Sequence, residues 1–470
     1  MLMSATRAAG RENRPDVLMI AVDDLNTWTG FLGGHSQALS PNMDALARRA
    51  VTFRQAYAPV PYCYPTRVAT MWGQDPDRSG VFVKEGLGGL RGQPAMDRLF
   101  KQAGYATHGA GKIFHGAPPD ASAWDSYLRS RKPSRQWREN STTPICAYTG
   151  LTPRPDPAVD WGLVSSLTDM RDYWTASYLD EIHDRTDPDQ PLFAALGFHD
   201  PHTPFFLPQD YWAPFADMDM ETPDIDRVLP AGIPREARAW IENPSNMPFL
   251  ARALCDAPLS TFGHSYIDLI RRSGILEELV RGYLASVYFV DDMIGRALRS
   301  LEASGRAENT IVVLWSDHGY HLGEKLHWSK FTLWEEATRV PMLLHLPPSL
   351  DPQGRFAGTA HDTPVSTVDI LATLAELCGI DLPAGRDSLS LMRLLEGQAE
   401  RRPALTTWGA GSHSIRQDRW RYTRYSRGGQ ELYDLVEDPA CERNLAGRPD
   451  SRAELRRLEA ALADRLGQGA

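Results

Sequence analysis

Continuous apolar runs of strand length recur along this chain, and each one stops at a short polar cluster. Asp16 to Val22 ends in Asp23-Asp24. A short strand without such a run, Tyr105 to Ala110, leaves through Gly111-Lys112-Ile113-Phe114-His115. Pro191 to Phe198 runs into His199-Asp200-Pro201-His202-Thr203-Pro204-Phe205, and Asn309 to Ser316 into Asp317-His318-Gly319. Runs without polar alternation predict parallel strands buried on both faces. Val340 to Leu346 reads as a further core strand. Helical periodicity predicts helices over 42–50, 94–103, 173–183, 276–304 and 366–377. In the fourth, Val280, Leu284, Val287, Val290, Ile294, Leu298 and Leu301 recur at three- and four-residue steps. Strands alternating with helices predict an α/β fold, whose sites lie beyond the carboxyl ends of the strands.

Other stretches are less regular. Residues 118–189 are polar and weakly periodic, and read as long excursions over the sheet edge. Residues 206–275 read as part of a substrate rim. From about residue 403 the pattern becomes α+β: strands over 404–408, 412–416, 420–425 and 431–435, then a last amphipathic helix over 451–466. The chain is therefore expected to divide into a catalytic unit, 14–398, and a small C-terminal unit, 399–470. Asp291-Asp292, inside the longest helix, reads as a solvated or structural pair.

The polar clusters supply candidate chemistry. Asp23-Asp24 offers hard oxygen donors of the kind that hold Ca²⁺, Mg²⁺ or Mn²⁺, although a turn followed by a helix cap would look alike. Asp317-His318 repeats the arrangement at another strand end. Pro61-Tyr62-Cys63-Tyr64-Pro65-Thr66-Arg67 places a cysteine at the mouth of a predicted helix. There the helix dipole and Arg67 would favour a thiolate, or an anion brought by a substrate.

Charge and cysteine content narrow the setting. A net charge of −10 argues against nucleic acid or an anionic membrane as partner. The cysteines, at 63, 146, 255, 378 and 441, are odd in number and without paired spacing, which reads as reduced thiols. The first fifteen residues lack a signal-peptide core, and no run approaches the roughly 18 apolar residues of a membrane span. A cytoplasmic location is the expectation.

Cys63-x-Pro65-Thr66-Arg67 resembles the signature of type I sulfatases. Ser40-Pro41-Asn42-Met43-Asp44, Gly73 and Arg78-Ser79-Gly80-Val81 fit the same family, and Leu25-Asn26-Thr27-Trp28 resembles its iduronate-2-sulfatase-like branch. The resemblance implies an alkaline-phosphatase-like α/β sandwich: a large, mixed, mostly parallel sheet between helices, with a small C-terminal α+β subdomain. It implies that a formylglycine-generating enzyme oxidises Cys63 to formylglycine, whose hydrate attacks sulfur. One divalent metal, Ca²⁺ before Mn²⁺ or Mg²⁺, would be held by Asp23, Asp24, Asp317, His318 and the modified Cys63. Arg67 and Lys112 would add donors to the anion, His115 would be the base that releases sulfate, and His202 and Lys330 would lie on the leaving-group side. The implied substrate is a small-molecule or saccharide sulfate ester. A phosphonate monoester or phosphodiester is the alternative, and a silent binder of sulfated ligands a third reading; an oligomer is possible. Asp200 stands where the iduronate-sulfatase-like proteins carry Lys. That removes a positive charge and argues against a multiply anionic substrate. If Asp200 met His202, it would raise the imidazole's pKa.

Overall fold

The computed structural model describes residues 14–83, 86–129, 161–242, 265–398 and 402–467. Eight strands form the main sheet: β1 (Asp16–Val22), β2 (Val51–Phe53), β3 (Ala106–Gly111), β4 (Ser126–Leu128), β5 (Leu192–Phe198), β6 (Thr310–Ser316), β7 (Met342–His345) and β8 (Ala360–His361). Their order is β8-β2-β7-β6-β1-β5-β3-β4. Within this sheet only β7 opposes the others, pairing antiparallel with β6 and β2. The predicted strand over 340–346 is split at Pro341, which has no N–H to give to a ladder. Its carbonyl still accepts the amide of Ser316 at 3.2 Å.

The sheet is buried on both sides, which explains the unbroken apolar runs. Leu18, Ile20 and Val22 of β1 face a core built with helices α2 (Arg171–Arg185) and α3 (Leu276–Ala303). Val17, Met19 and Ala21 face the opposite core, which includes Val68 and Met71 of the helix α1 (Cys63–Trp72) and Leu371 and Leu374 of the helix Ile370–Leu377. Asp291 is the structural residue expected. Buried in α3, it accepts the amides of Asn42 and Met43 at 3.0 and 2.7 Å, where a carboxylate suits the first turn of the Pro41–Ala47 helix.

Four antiparallel strands follow, β9 (Ala404–Thr407), β10 (His413–Gln417), β11 (Trp420–Arg424) and β12 (Gln430–Asp434), with the helix α4 (Arg452–Arg465). Leu458 and Leu462 of α4 pack on Leu405, Ile415, Tyr422 and Leu432. The Thr406 hydroxyl donates to the carbonyl of Ala58 at 2.7 Å and the Thr407 amide to that of Pro59 at 2.8 Å, which ties β9 to the loop before Cys63. The expected boundary between 398 and 399 falls at the edge of the described residues. Cys63, Cys378 and Cys441 are buried free thiols; Cys146 and Cys255 lie outside the described residues, as does most of the N-terminal stretch. Among the described residues no helix is long and apolar enough to cross a membrane.

Candidate active site

Strand register brings the polar clusters together. Val22 at the end of β1 pairs with Ser316 of β6 on one side and Phe198 of β5 on the other. The next residues along these strands, Asp23, Asp317 and His199, therefore leave the sheet in one row. Gly111 at the end of β3 pairs with Gly197, so Lys112 joins the same edge. A side chain at Gly197 would meet the Lys112 carbonyl carbon at 2.1 Å, and Gly111 has a φ of +71°. Only glycine allows these two chain segments to approach so closely.

One ligand atom from each of Asp23, Asp24, Cys63 and His318 lies within 4.8 Å of all the others, and all four residues are buried. Asp24 has a φ of 60°, an uncommon conformation for a residue with a side chain. Tyr283 of α3 secures that turn: its hydroxyl donates to the Asp24 carbonyl and accepts the Asn26 amide, each at 2.9 Å. Nδ1 of His318 faces the carbonyl of Gly319 at 2.9 Å, which makes it the protonated nitrogen. Nε2 then faces Sγ of Cys63 at 3.1 Å.

Three cations surround these carboxylates. Arg67 Nε donates to Asp317 Oδ2 at 2.7 Å and Nη2 to Asp23 Oδ1 at 3.2 Å, while Nη1 donates to the carbonyl of Lys112. Lys112 is paired with Asp23. Lys330 Nζ reaches both Asp24 Oδ1, at 2.6 Å, and Cys63 Sγ, at 3.1 Å. Burial opposes ionisation of Asp23, yet Lys112, His202 and Arg67 hold it well below the usual carboxylate range. Asp24 is also lowered against the cost of burial, by His202, Lys330 and His318. Asp317 is raised, by burial first.

Two expectations need correction. Burial, reinforced by Asp23, pushes the Cys63 thiol up to about 12, so desolvation and carboxylates outweigh the helix dipole and no thiolate is favoured. Asp200 does not face His202. It bonds to Asp172, whose Oδ2 also accepts the amides of His199 and Asp200 at 2.8 Å each. His202 is instead lowered to about 4, chiefly by desolvation.

His115 sits beside the start of α1, its ring edge-on to Tyr64 with centroids 6.4 Å apart. Within hydrogen-bond distance of Sγ of Cys63 lie Nε2 of His318 and Nζ of Lys330. His202 directs Nε2 toward Asp24 Oδ2 at 3.9 Å. His199 was not among the expected site residues. Its Nδ1 is 3.7 Å from Asp23 Oδ2 and its ring stacks on His202 at 4.9 Å. Its place directly after a buried strand was the available signal. Tyr62, Phe331 and Trp408 form an aromatic group beside Cys63 and Lys330, with Trp408 contributed from beyond β9.

Residues 15–380 match the family described as Sulfatase, and residues 323–468 that described as N-sulphoglucosamine sulphohydrolase, C-terminal. The chain belongs to the sulfatase family. This sulfatase is 31% identical to a protein named sulfatase from Formosa agariphila, over 96% of this chain and 86% of that one. It is 27% identical to the iduronate 2-sulfatase of Homo sapiens, over 81% of this chain and 72% of that one. Among solved structures it resembles the phosphonate monoester hydrolase of Agrobacterium radiobacter, with a TM-score of 0.73, 22% identity and coverage of 97% and 96%. That likeness shows the fold, which is alkaline-phosphatase-like. The sulfatase is a sulfuric ester hydrolase.

Proposed function

We propose that this enzyme hydrolyses an organic sulfate monoester with a nucleophile derived from Cys63, after its oxidation to formylglycine, beside one divalent metal ion. The observation that carries the reading is the position of Cys63: at the start of α1, with Sγ 3.1 Å from both His318 Nε2 and Lys330 Nζ, inside a cluster of buried carboxylates. The cluster suits a metal, because Oδ2 of Asp24 is buried without a hydrogen-bond partner. Asp23, Asp24, Asp317, His318 and the modified position 63 would hold the ion. Oxygen donors favour Ca²⁺, and the nitrogen of His318 admits Mn²⁺. When bound, the ion supplies positive charge that polarises the sulfate ester.

The chain's own residues set the remaining geometry. Arg67, fixed by two carboxylates and a backbone carbonyl, orients Asp23 and Asp317; it acts on the anion through them. Lys112 and Lys330 bring charge to the edge where the sulfate would lie. His202 donates Nδ1–H to the Thr203 carbonyl at 2.6 Å, which leaves Nε2 unprotonated while burial holds the imidazole at about 4. A bound sulfate anion would raise that value, so that Nε2 takes up the proton it then gives to a leaving oxygen. His115 keeps its proposed role as base for sulfate release. The iduronate-2-sulfatase-like branch is supported by residues 25–28 and by the human relative.

Enzyme made together with a formylglycine-generating system tests the reading. Peptide mass spectrometry should show the aldehyde at position 63, and sulfate monoesters should be hydrolysed faster than phosphonate or phosphate diesters. Full activity with an intact thiol, or preference for phosphorus esters, would overturn it.

A further inference from the structure

A small cavity opens beside the stacked histidines, bounded by Met170, Arg171, His199, Asp200, His202 and Phe206. Arg171 is the first residue of α2. A cation there opposes the helix dipole, which favours anions at that end. Among the described residues no carboxylate lies within ion-pair distance of its guanidinium, although its field reaches the Asp172 and Asp200 carboxyls. The nearest acid along the chain, Asp172, is engaged by the amides of His199 and Asp200 and by the Asp200 side chain. Burial and the neighbouring Asp172 raise Asp200 well above the usual range, which makes it the protonated member of that pair. The carboxyl at position 200, which seemed to make this side of the cleft less positive, is therefore turned inward and neutral. Arg171 supplies a cation from a different element.

We propose that Arg171 forms a second anion subsite, and that the alcohol half of the substrate carries an anionic oxygen group, a carboxylate or a second sulfate, received there while the ester sulfate lies beside Cys63. The two subsites are separated by the His199–His202 stack, so the second anion belongs to the leaving group. The assignment rests on the sulfatase reading of the main site. It also predicts discrimination against neutral alcohols, which would enter the cavity and leave the guanidinium without a partner.

Matched substrates test it. Sulfate esters of hydroxy acids of graded length are compared with their carboxamides, and disulfates with the corresponding monosulfates, on matured metal-loaded enzyme and on Arg171→Met and Arg171→Lys. Removing the charge-assisted contact should raise KM for the doubly anionic esters about 10- to 100-fold, with kcat and the neutral esters little changed, and Arg171→Lys should recover part of the loss. The arm that responds identifies carboxylate or sulfate. An equal loss on charged and neutral esters would assign Arg171 a structural role and overturn the subsite, as would a wild-type enzyme that prefers neutral esters. Calorimetric binding of the same esters to Cys63→Ala, with and without Arg171→Met, keeps the two readings apart. If wild-type enzyme bearing formylglycine hydrolyses none of them, the sulfatase reading of the site fails, and binding preference alone decides the subsite.

Discussion

Lys330 Nζ lies 2.6 Å from Oδ1 of Asp24, with both side chains almost wholly buried. Burial works against the ammonium, but Asp24 and Cys63 raise its pKa well above the usual lysine value, so the charge persists. Ser329 and Phe331 on either side have φ of 84° and 75°. Strain of this kind persists where surrounding contacts over-determine it. Lys330→Met would leave Asp24 as an uncompensated buried charge, a loss of about 3–5 kcal/mol in protein stripped of metal. Urea denaturation with and without a divalent ion checks this. The penalty should shrink when the ion is present, because the ion itself neutralises Asp24.

Asp24→Ala should abolish stoichiometric metal, since it removes the cluster's one carboxylate oxygen that is buried without a partner. Elemental analysis of protein purified without chelator should find about one ion per chain in the wild type and none in the variant. A variant that retains the ion would exclude Asp24 as a ligand.

Arg67→Lys keeps the charge but loses the fork that reaches Asp317, Asp23 and a backbone carbonyl together. We expect weaker metal retention and a kcat lowered by about 10-fold or more, the scale of losses when a group orienting a metal ligand is removed. Metal titration beside steady-state kinetics checks it. Unchanged metal affinity would show that Arg67 does not orient the carboxylates.

Acid stability should be set in part by two histidines beneath the Lys330 loop. His321 and His327 pack edge to face, centroids 4.9 Å apart, and burial lowers each to about 3. The folded chain keeps both neutral, while the unfolded imidazoles take up protons near 6.5. Below that pH the unfolded state binds more protons, so stability falls as the pH drops from about 6.5 toward 3. Glu324, raised to about 7 by burial and Glu336, acts oppositely: its contribution fades as the pH rises from about 4.5 to 7. Asp75, Asp97 and Asp291, each raised to about 6 by burial, act in the same sense as Glu324, so the share of the two histidines is read by difference. Between pH 6.5 and 5 the urea midpoint of the wild type should lose more than that of His321→Asn/His327→Asn. Equal pH dependence in the two proteins would contradict this.

His202→Ala should distinguish leaving groups. An alkoxide needs a proton far more than a nitrophenolate does, so the variant should lose about 10²–10⁴-fold on an alkyl sulfate and much less on nitrophenyl sulfate. kcat/KM across alcohols of graded pKa is the measurement. A uniform loss would restrict His202 to binding or shaping the site.

Much of this arrangement was legible in the chain. The apolar runs of β1, β5 and β6 are buried on both faces, so their lack of alternation identified them, and their polar ends converge because parallel strands in register finish together. The Asp200–Asp172 pair was not legible, because it joins a loop to a helix twenty-eight residues earlier and no local pattern encodes it. Arg171 was hidden in a weakly periodic stretch, where its position on a helix end could not be distinguished from an ordinary surface charge. The pKa of Cys63 was misjudged for a related reason: motif and dipole are local, whereas desolvation depends on what the rest of the chain packs around the sulfur.

That packing also bears on timing. Cys63 is 1% exposed, covered by segments from as far along the chain as Lys330, and β9 is fastened to the loop before it. Under the proposed maturation, an enzyme that oxidises this sulfur would have to reach it before these segments close over it. Oxidation and folding would then compete for each newly made chain, and the first to finish would decide whether that molecule becomes active. Slower closure, or a longer delay before the C-terminal strands emerge from the ribosome, would raise the active fraction without altering any residue of the site.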